Sequence, residues 1–136
     1  MSLPSGALEG RRIPSSEASA AGAAGLRAFG RIAELWHLSI AEQLTLLGLS
    51  SRSTYFKWRK EPQVRLARDT LERISYILGI YKALQLLLPD TRAADEWIRR
   101  PNEAAVFGGR SALDRMLSGN VADLYIVRQY LDAQRG

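Results

Sequence analysis

The chain has 136 residues, 46% of them hydrophobic and 24% charged, with no cysteine and a formal charge of +5. That is room for one domain, or two very small ones sharing a modest core that self-association would help to stabilise. The missing thiols exclude disulfides, thiolate metal sites and a cysteine nucleophile, and a pI near 10.0 points to an anionic partner, be it nucleic acid, membrane or acidic protein.

In chain order, residues 1–24 are rich in Ala, Ser, Gly and Pro and lack large apolar side chains over Ser15–Ala24. Such a stretch offers little burial to offset its ordering entropy, so it reads as a flexible arm. Met1–Gly10 has no apolar run of the kind that opens a signal peptide, and a cytoplasmic location is expected. Leu26, Phe29, Ile32, Ala33 and Trp36 recur at helical spacing and place a first helix at about 26–37.

Ser39 followed by Glu42 is a capping-box pattern. It opens a second helix with Ile40, Leu44 and Leu47 on its apolar face, and Gly48 ends it. Ser51 to Lys60 reads as a third helix, capped by Ser50 or Ser51 and stopped by Pro62. A long stripe of Leu71, Ile74, Ile77, Leu78, Tyr81, Leu84, Leu87 and Leu88 defines a helix over 67–88. Its apolar run Ala83–Leu88, broken by Gln85, is far too short to cross a bilayer.

Thr91–Arg99 is a shorter helix with Ala94, Trp97 and Ile98 inward, closed by the turn Arg100-Pro101-Asn102. Val106–Arg110 is a loop whose two glycines permit unusual backbone angles. Ser111 caps a helix through Leu117, Ser118-Gly119-Asn120 breaks it, and Val121–Gln134 is the last helix, with Leu124, Val127 and Leu131 on one face. Alternating strand patterns are missing. The expected fold is all-α, an N-terminal helix-turn-helix unit followed by a small C-terminal helical domain, divided as arm 1–24, helix-turn-helix 25–66 and helical domain 67–136.

The second and third helices, joined by a glycine turn, have the layout that places one helix in a DNA major groove. The candidate DNA contacts are Ser51, Arg52, Ser53, Thr54, Tyr55, Lys57, Arg59 and Lys60, since Arg pairs bidentately with guanine and hydroxyls donate or accept. From Ser50 to Arg73 seven basic residues face three acidic ones, which supplies most of the net charge and is the footprint of phosphate binding. Phe56 is expected in the core; Trp58 suits core or surface equally.

Catalysis finds little support. His37 is the one histidine, and a histidine at a helix end usually serves the terminal carbonyls or the dipole. No second His or Cys completes a metal site, no base stands ready for a nucleophilic serine, and Gly108-Gly109-Arg110 lacks the Gly-Lys-Ser/Thr of a phosphate loop. Neither enzyme activity nor a cofactor or metal is expected.

The segment Trp97-Ile98-Arg99-Arg100-Pro101-Asn102, then Phe107-Gly108-Gly109-Arg110-Ser111-Ala112-Leu113-Asp114, then Gly119-Asn120-Val121 and a closing helix, resembles the Xre/MbcA/ParS family of antitoxins over roughly Leu38–Arg135. The resemblance implies a type II toxin-antitoxin pair. It implies as partner a RES-domain toxin, similar to ADP-ribosyltransferases and consuming NAD, which the C-terminal domain binds. It also implies autoregulation through operator DNA. The implied toxin-binding residues are Arg110 and Asp114 at the glycine turn, and Tyr125, Arg128, Gln129, Asp132 and Arg135 on the last helix, with Trp97 in the core rather than the interface. The alternative is a stand-alone helix-turn-helix regulator whose C-terminal domain dimerises or senses a signal. More distant is a helical adaptor that binds neither DNA nor toxin. A homodimer or a larger complex with toxin is expected, with no membrane partner.

Overall fold

The computed structural model describes residues 15–136, so the expected arm at 1–14 lies outside the described residues. Helix α1 spans Ser15–Leu35, eleven residues earlier than the apolar periodicity suggests, and the expected arm is helical over 15–24. The small side chains explain the difference. Val64 N–H donates to the Ser19 carbonyl at 2.9 Å, and a Cβ on Gly22 would collide with the Val64 carbonyl. Smallness here is what lets the connecting strand of chain lie against the helix, burying Ala23 and Leu26.

α1 ends in an unusual cap. His37 is left-handed, with φ 55°; its N–H reaches the Glu34 carbonyl at 3.1 Å, and Leu38 N–H reaches back to Ala33 at 2.9 Å. That is the double closure normally given to glycine. The backbone of His37, not its ring, therefore serves the helix end.

α2 (Ile40–Leu47) and α3 (Arg52–Lys60) follow. The capping box forms as the sequence indicates: Glu42 N–H donates to Ser39 Oγ at 3.1 Å, and Ser39 N–H donates to Glu42 Oε1 at 2.8 Å. Gly48 closes α2 at φ 71°. Ser51, not Ser50, caps α3 through a 3.1 Å bond from Thr54 N–H.

α4 (Arg68–Leu87) is the spine, packed against α1 on one side and α7 on the other. Ile74, Ile77, Ile80, Ala83 and Leu84 are buried along it, whereas Leu71 is 40% exposed. The inward place one residue earlier is taken by Thr70, whose hydroxyl donates to the Leu47 carbonyl at 3.2 Å. α5 (Thr91–Glu96) tightens into a 3₁₀ turn at Trp97–Arg99, because Arg100 must be extended ahead of Pro101. α6 (Ala112–Met116) and α7 (Val121–Gln134) complete the chain.

The fold is all-α: among the described residues the only β-type pairing is one isolated bridge between Pro101 and Ser111. A single buried cluster runs from Leu26 and Trp36 through Tyr55 and Ile77 to Leu113 and Leu131, so the two units share one core. Among the described residues no helix is long and apolar enough to cross a membrane.

Candidate functional site

The candidate residues fall on two surfaces, one on α3 and one formed by the loop 102–110 with α6 and α7. On α3, Arg52, Ser53, Lys57, Arg59 and Lys60 are exposed, and Ser51 and Thr54 are half-buried. Ser51 Oγ is committed to capping and also lies 3.1 Å from Ser53 Oγ.

Tyr55 is a correction to the expected DNA contacts. It is fully buried, and its hydroxyl donates to Gln43 Oε1 at 2.6 Å. Gln43 in turn donates to the Leu38 carbonyl at 3.0 Å. A tyrosine with its polar tip satisfied inside the core fixes the angle between α2 and α3 and does not face a groove. Burial pushes its phenol above the ordinary 10.0, with the nearby Arg59 cation pulling the other way.

Phe56 reverses the opposite way. Expected in the core, it is 37% exposed, because one step along a helix turns a side chain by 100° and Tyr55 already occupies the inward position. Its ring is flanked by Arg52 at 5.8 Å and Arg59 at 5.8 Å, with Arg59 also 5.5 Å from the Tyr55 ring. Two guanidinium groups are thus held on an aromatic surface on the outer face of α3. Trp58 is half-buried against the core.

In the second surface, Asn102 staples the loop. Its N–H donates to the Arg110 carbonyl at 3.0 Å, its carbonyl accepts from Gly109 N–H at 2.9 Å, and its Oδ1 accepts from Ala104 N–H at 2.9 Å. Gly108 and Gly109 make the return with φ 60° and 85°, angles that side-chain-bearing residues rarely adopt. Beneath it Trp97, Phe107 and Tyr130 form an aromatic trio with centroids 5.1–6.4 Å apart. The half-buried Trp97 is therefore a support packed on the core.

The loop sets Arg110 on an exposed corner, 3.9 Å from Asp114. Asp114 also completes a second capping box with Ser111. Arg115, which the sequence did not single out, anchors the loop from below. It donates to the Val106 carbonyl and pairs with Asp123 at 2.9 Å. Asp123 further accepts from Ser118 at 2.6 Å, and that hydroxyl, with Arg115, holds its carboxyl below the usual 3.8 against the opposing effect of desolvation.

The remaining candidates lie along α7. Tyr125 is 46% exposed and meets Tyr76 edge-on at 5.7 Å. Asp132 pairs with Arg128 at 3.5 Å and Arg135 at 3.6 Å, and Gln129 is exposed. Arg128 is half-buried, its guanidinium filling the space that a side chain on Gly79 would need. No hydrogen bond or ion pair among the described residues joins this α7 group to Arg110 and Asp114. Three arginines tie the helices of residues 16–79 to those of residues 83–136: Arg99 donates to the Trp36 carbonyl at 3.0 Å and the His37 carbonyl at 2.8 Å, Arg73 donates to the Gly119 carbonyl at 2.9 Å, and Arg128 donates to the Ser75 carbonyl at 3.5 Å.

Residues 16–79 match the antitoxin Xre-like helix-turn-helix domain, and residues 83–136 match the antitoxin Xre/MbcA/ParS C-terminal toxin-binding domain. The chain is also similar to the uncharacterized protein y4oB of Sinorhizobium fredii (strain NBRC 101917 / NGR234), 56% identical over 123 residues that cover 90% of this chain and 92% of the relative. With an Xre-like helix-turn-helix followed by the toxin-binding domain, the chain belongs to the Xre/MbcA/ParS family of antitoxins.

Proposed function

We propose that this antitoxin neutralises a RES-type toxin, an NAD-consuming enzyme akin to ADP-ribosyltransferases, and that it represses its own operon by binding operator DNA. The protein acts by binding and not by catalysis. The observation that carries the toxin reading is the Asn102-stapled loop within the matched domain, which ends on exposed Arg110 beside Asp114. A rigid arginine corner is suited to bidentate pairing with a carboxylate of the partner. The toxin-facing surface runs from Arg110 and Asp114 to Tyr125, Gln129, Asp132 and Arg135, with Arg128 positioning Asp132 from its seat over Gly79. For the operator, Arg52, Ser53, Lys57, Arg59 and Lys60 on the open face of α3 support groove contact, and a dimer would read paired half-sites.

Co-expression with the adjacent gene tests the reading. A stable complex that restores growth and cellular NAD supports it, and size-exclusion chromatography with light scattering gives its stoichiometry. Failure to form a complex, with retained binding to upstream DNA, favours the stand-alone regulator.

A further inference from the structure

We infer that a pocket between α1 and α3, which shares Arg59 with the open face of α3, is a seat for a backbone phosphate of the bound DNA. The pocket, about 270 Å³, is lined by Leu26, Arg27, Gly30, Arg31, Glu34 and Arg59. Three arginines from two helices converge on it with one carboxylate. Arg27 and Arg31 are exposed, and among the described residues neither forms an ion pair. Arg59 is oriented by the Tyr55 and Phe56 rings, so the cation that touches the pocket is continuous with the outer surface of α3.

Gly30 is the second observation. A glycine inside a helix weakens it relative to alanine, and the other early glycines of α1 repay that by packing: Gly22 lies under Val64, and Gly25 contacts Ile74. A Cβ on Gly30 would meet nothing within 4 Å. The fold has no use for its bareness, whereas an anion approaching the helix between Arg27 and Arg31 does. The chemistry is that of a phosphodiester: a compact anion with several acceptor oxygens, for which guanidinium forks are suited. The short path through Arg59 to α3 favours the duplex that α3 reads as its source.

This inference rests on the DNA-binding reading of α3. Its test is fluorescence anisotropy of the full chain on two duplexes, one from upstream of its own gene and one of scrambled sequence, over a range of salt. The variants are Gly30→Glu, which places a carboxylate in open space, and the pair Arg27→Gln with Arg31→Gln; circular dichroism checks that each stays helical. Both should lose about tenfold in affinity on both duplexes alike, and the slope of log K against log salt should fall by about 0.9, one phosphate's worth. Wild-type slopes in both variants, with Lys57→Ala still lowering the slope, would overturn the seat and leave DNA binding by α3 standing. Thermal protection by inorganic phosphate at constant ionic strength, abolished in the variants whose DNA slopes are unchanged, would overturn it in favour of a free-anion site. A wild-type chain that binds neither duplex would remove the DNA reading and the seat together.

Discussion

Arg73 Nη2 donates to the Gly119 carbonyl at 2.9 Å, so a side chain rooted near the start of α4 closes the turn between α6 and α7. Its Nε pairs with Asp69 at 2.8 Å and lies only 2.8 Å from where a Cβ on Gly48 would be. One buried cation therefore touches the helix-turn-helix turn and the toxin-binding domain at once. Arg99 makes the reciprocal crossing, from the toxin-binding domain to the end of α1.

Shared core and crossed arginines together predict one cooperative unfolding transition. Urea curves followed by far-UV circular dichroism and by tryptophan fluorescence should coincide, and Arg73→Met should lower stability by about 1–3 kcal/mol while keeping them coincident. Two separated transitions would mean that the two matched domains fold independently.

Tyr55→Phe should cost about 1–3 kcal/mol, because it leaves buried Gln43 Oε1 without its donor, yet DNA affinity of the folded protein should not change. The alkaline limb follows from the same residue. Its folded pKa is raised above 10.0, so the neutral phenol is the form the fold favours. That contribution is complete below pH 10 and is lost as pH rises through the folded value. A urea series at alkaline pH should show a decline that is weaker in Tyr55→Phe.

His37→Gly should raise stability by about 0.5–1 kcal/mol, since glycine adopts the left-handed cap without the steric cost that other residues bear. A fall in stability would assign the imidazole a structural role that its backbone does not have.

Element type was legible in the sequence wherever local chemistry decided it. Ser39 with Glu42, Gly48, Ser111 and the pair Gly108-Gly109 each act through their immediate neighbours, and each does in the structure what its spacing indicates. The readings that failed depend on distant partners. Ser15–Ala24 is helical because Val64 lies against Gly22, a contact more than forty residues away. Tyr55 and Phe56 exchanged their expected places because two adjacent aromatics cannot both face inward, and composition does not say which one finds Gln43. Arg115 and Asp123 escaped notice because an ion pair across a turn has no signature in helical periodicity.

Asp123→Asn should loosen the loop from beneath, since Arg115 would lose the carboxylate that holds it. Toxin neutralisation should weaken while DNA binding stays as it was. The carboxyl is held below its ordinary 3.8, so its contribution to stability is full above that pH and is lost as pH falls through the lower folded value. The acid limb of the stability profile should therefore flatten in the variant. Arg110→Glu tests the corner itself: it should abolish capture of the toxin in a pull-down without lowering Tm, because Arg110 is exposed and its pairing with Asp114 is loose. Retained capture would move the interface to α7 alone. Deleting Val121–Gly136 does not serve this purpose, since Leu124, Val127 and Leu131 belong to the common core.

Arg52→Ala should separate the two activities from the other side. Arg52 stands in the first turn of α3, exposed and backed by the Phe56 ring. Losing a guanine contact costs about 1–3 kcal/mol at one base pair, so operator affinity should drop while toxin neutralisation persists and scrambled DNA is affected less. Phe56→Ala removes the surface that orients Arg52 and Arg59 and not the charges themselves, and an exposed cation–aromatic contact is worth about 0.5–1 kcal/mol. It should therefore reduce operator affinity by a smaller factor than Arg52→Ala, with stability changed by no more than about 0.5 kcal/mol. A large loss of stability in Phe56→Ala would return the ring to the core, and unchanged operator affinity in Arg52→Ala would remove Arg52 from the contacts of α3.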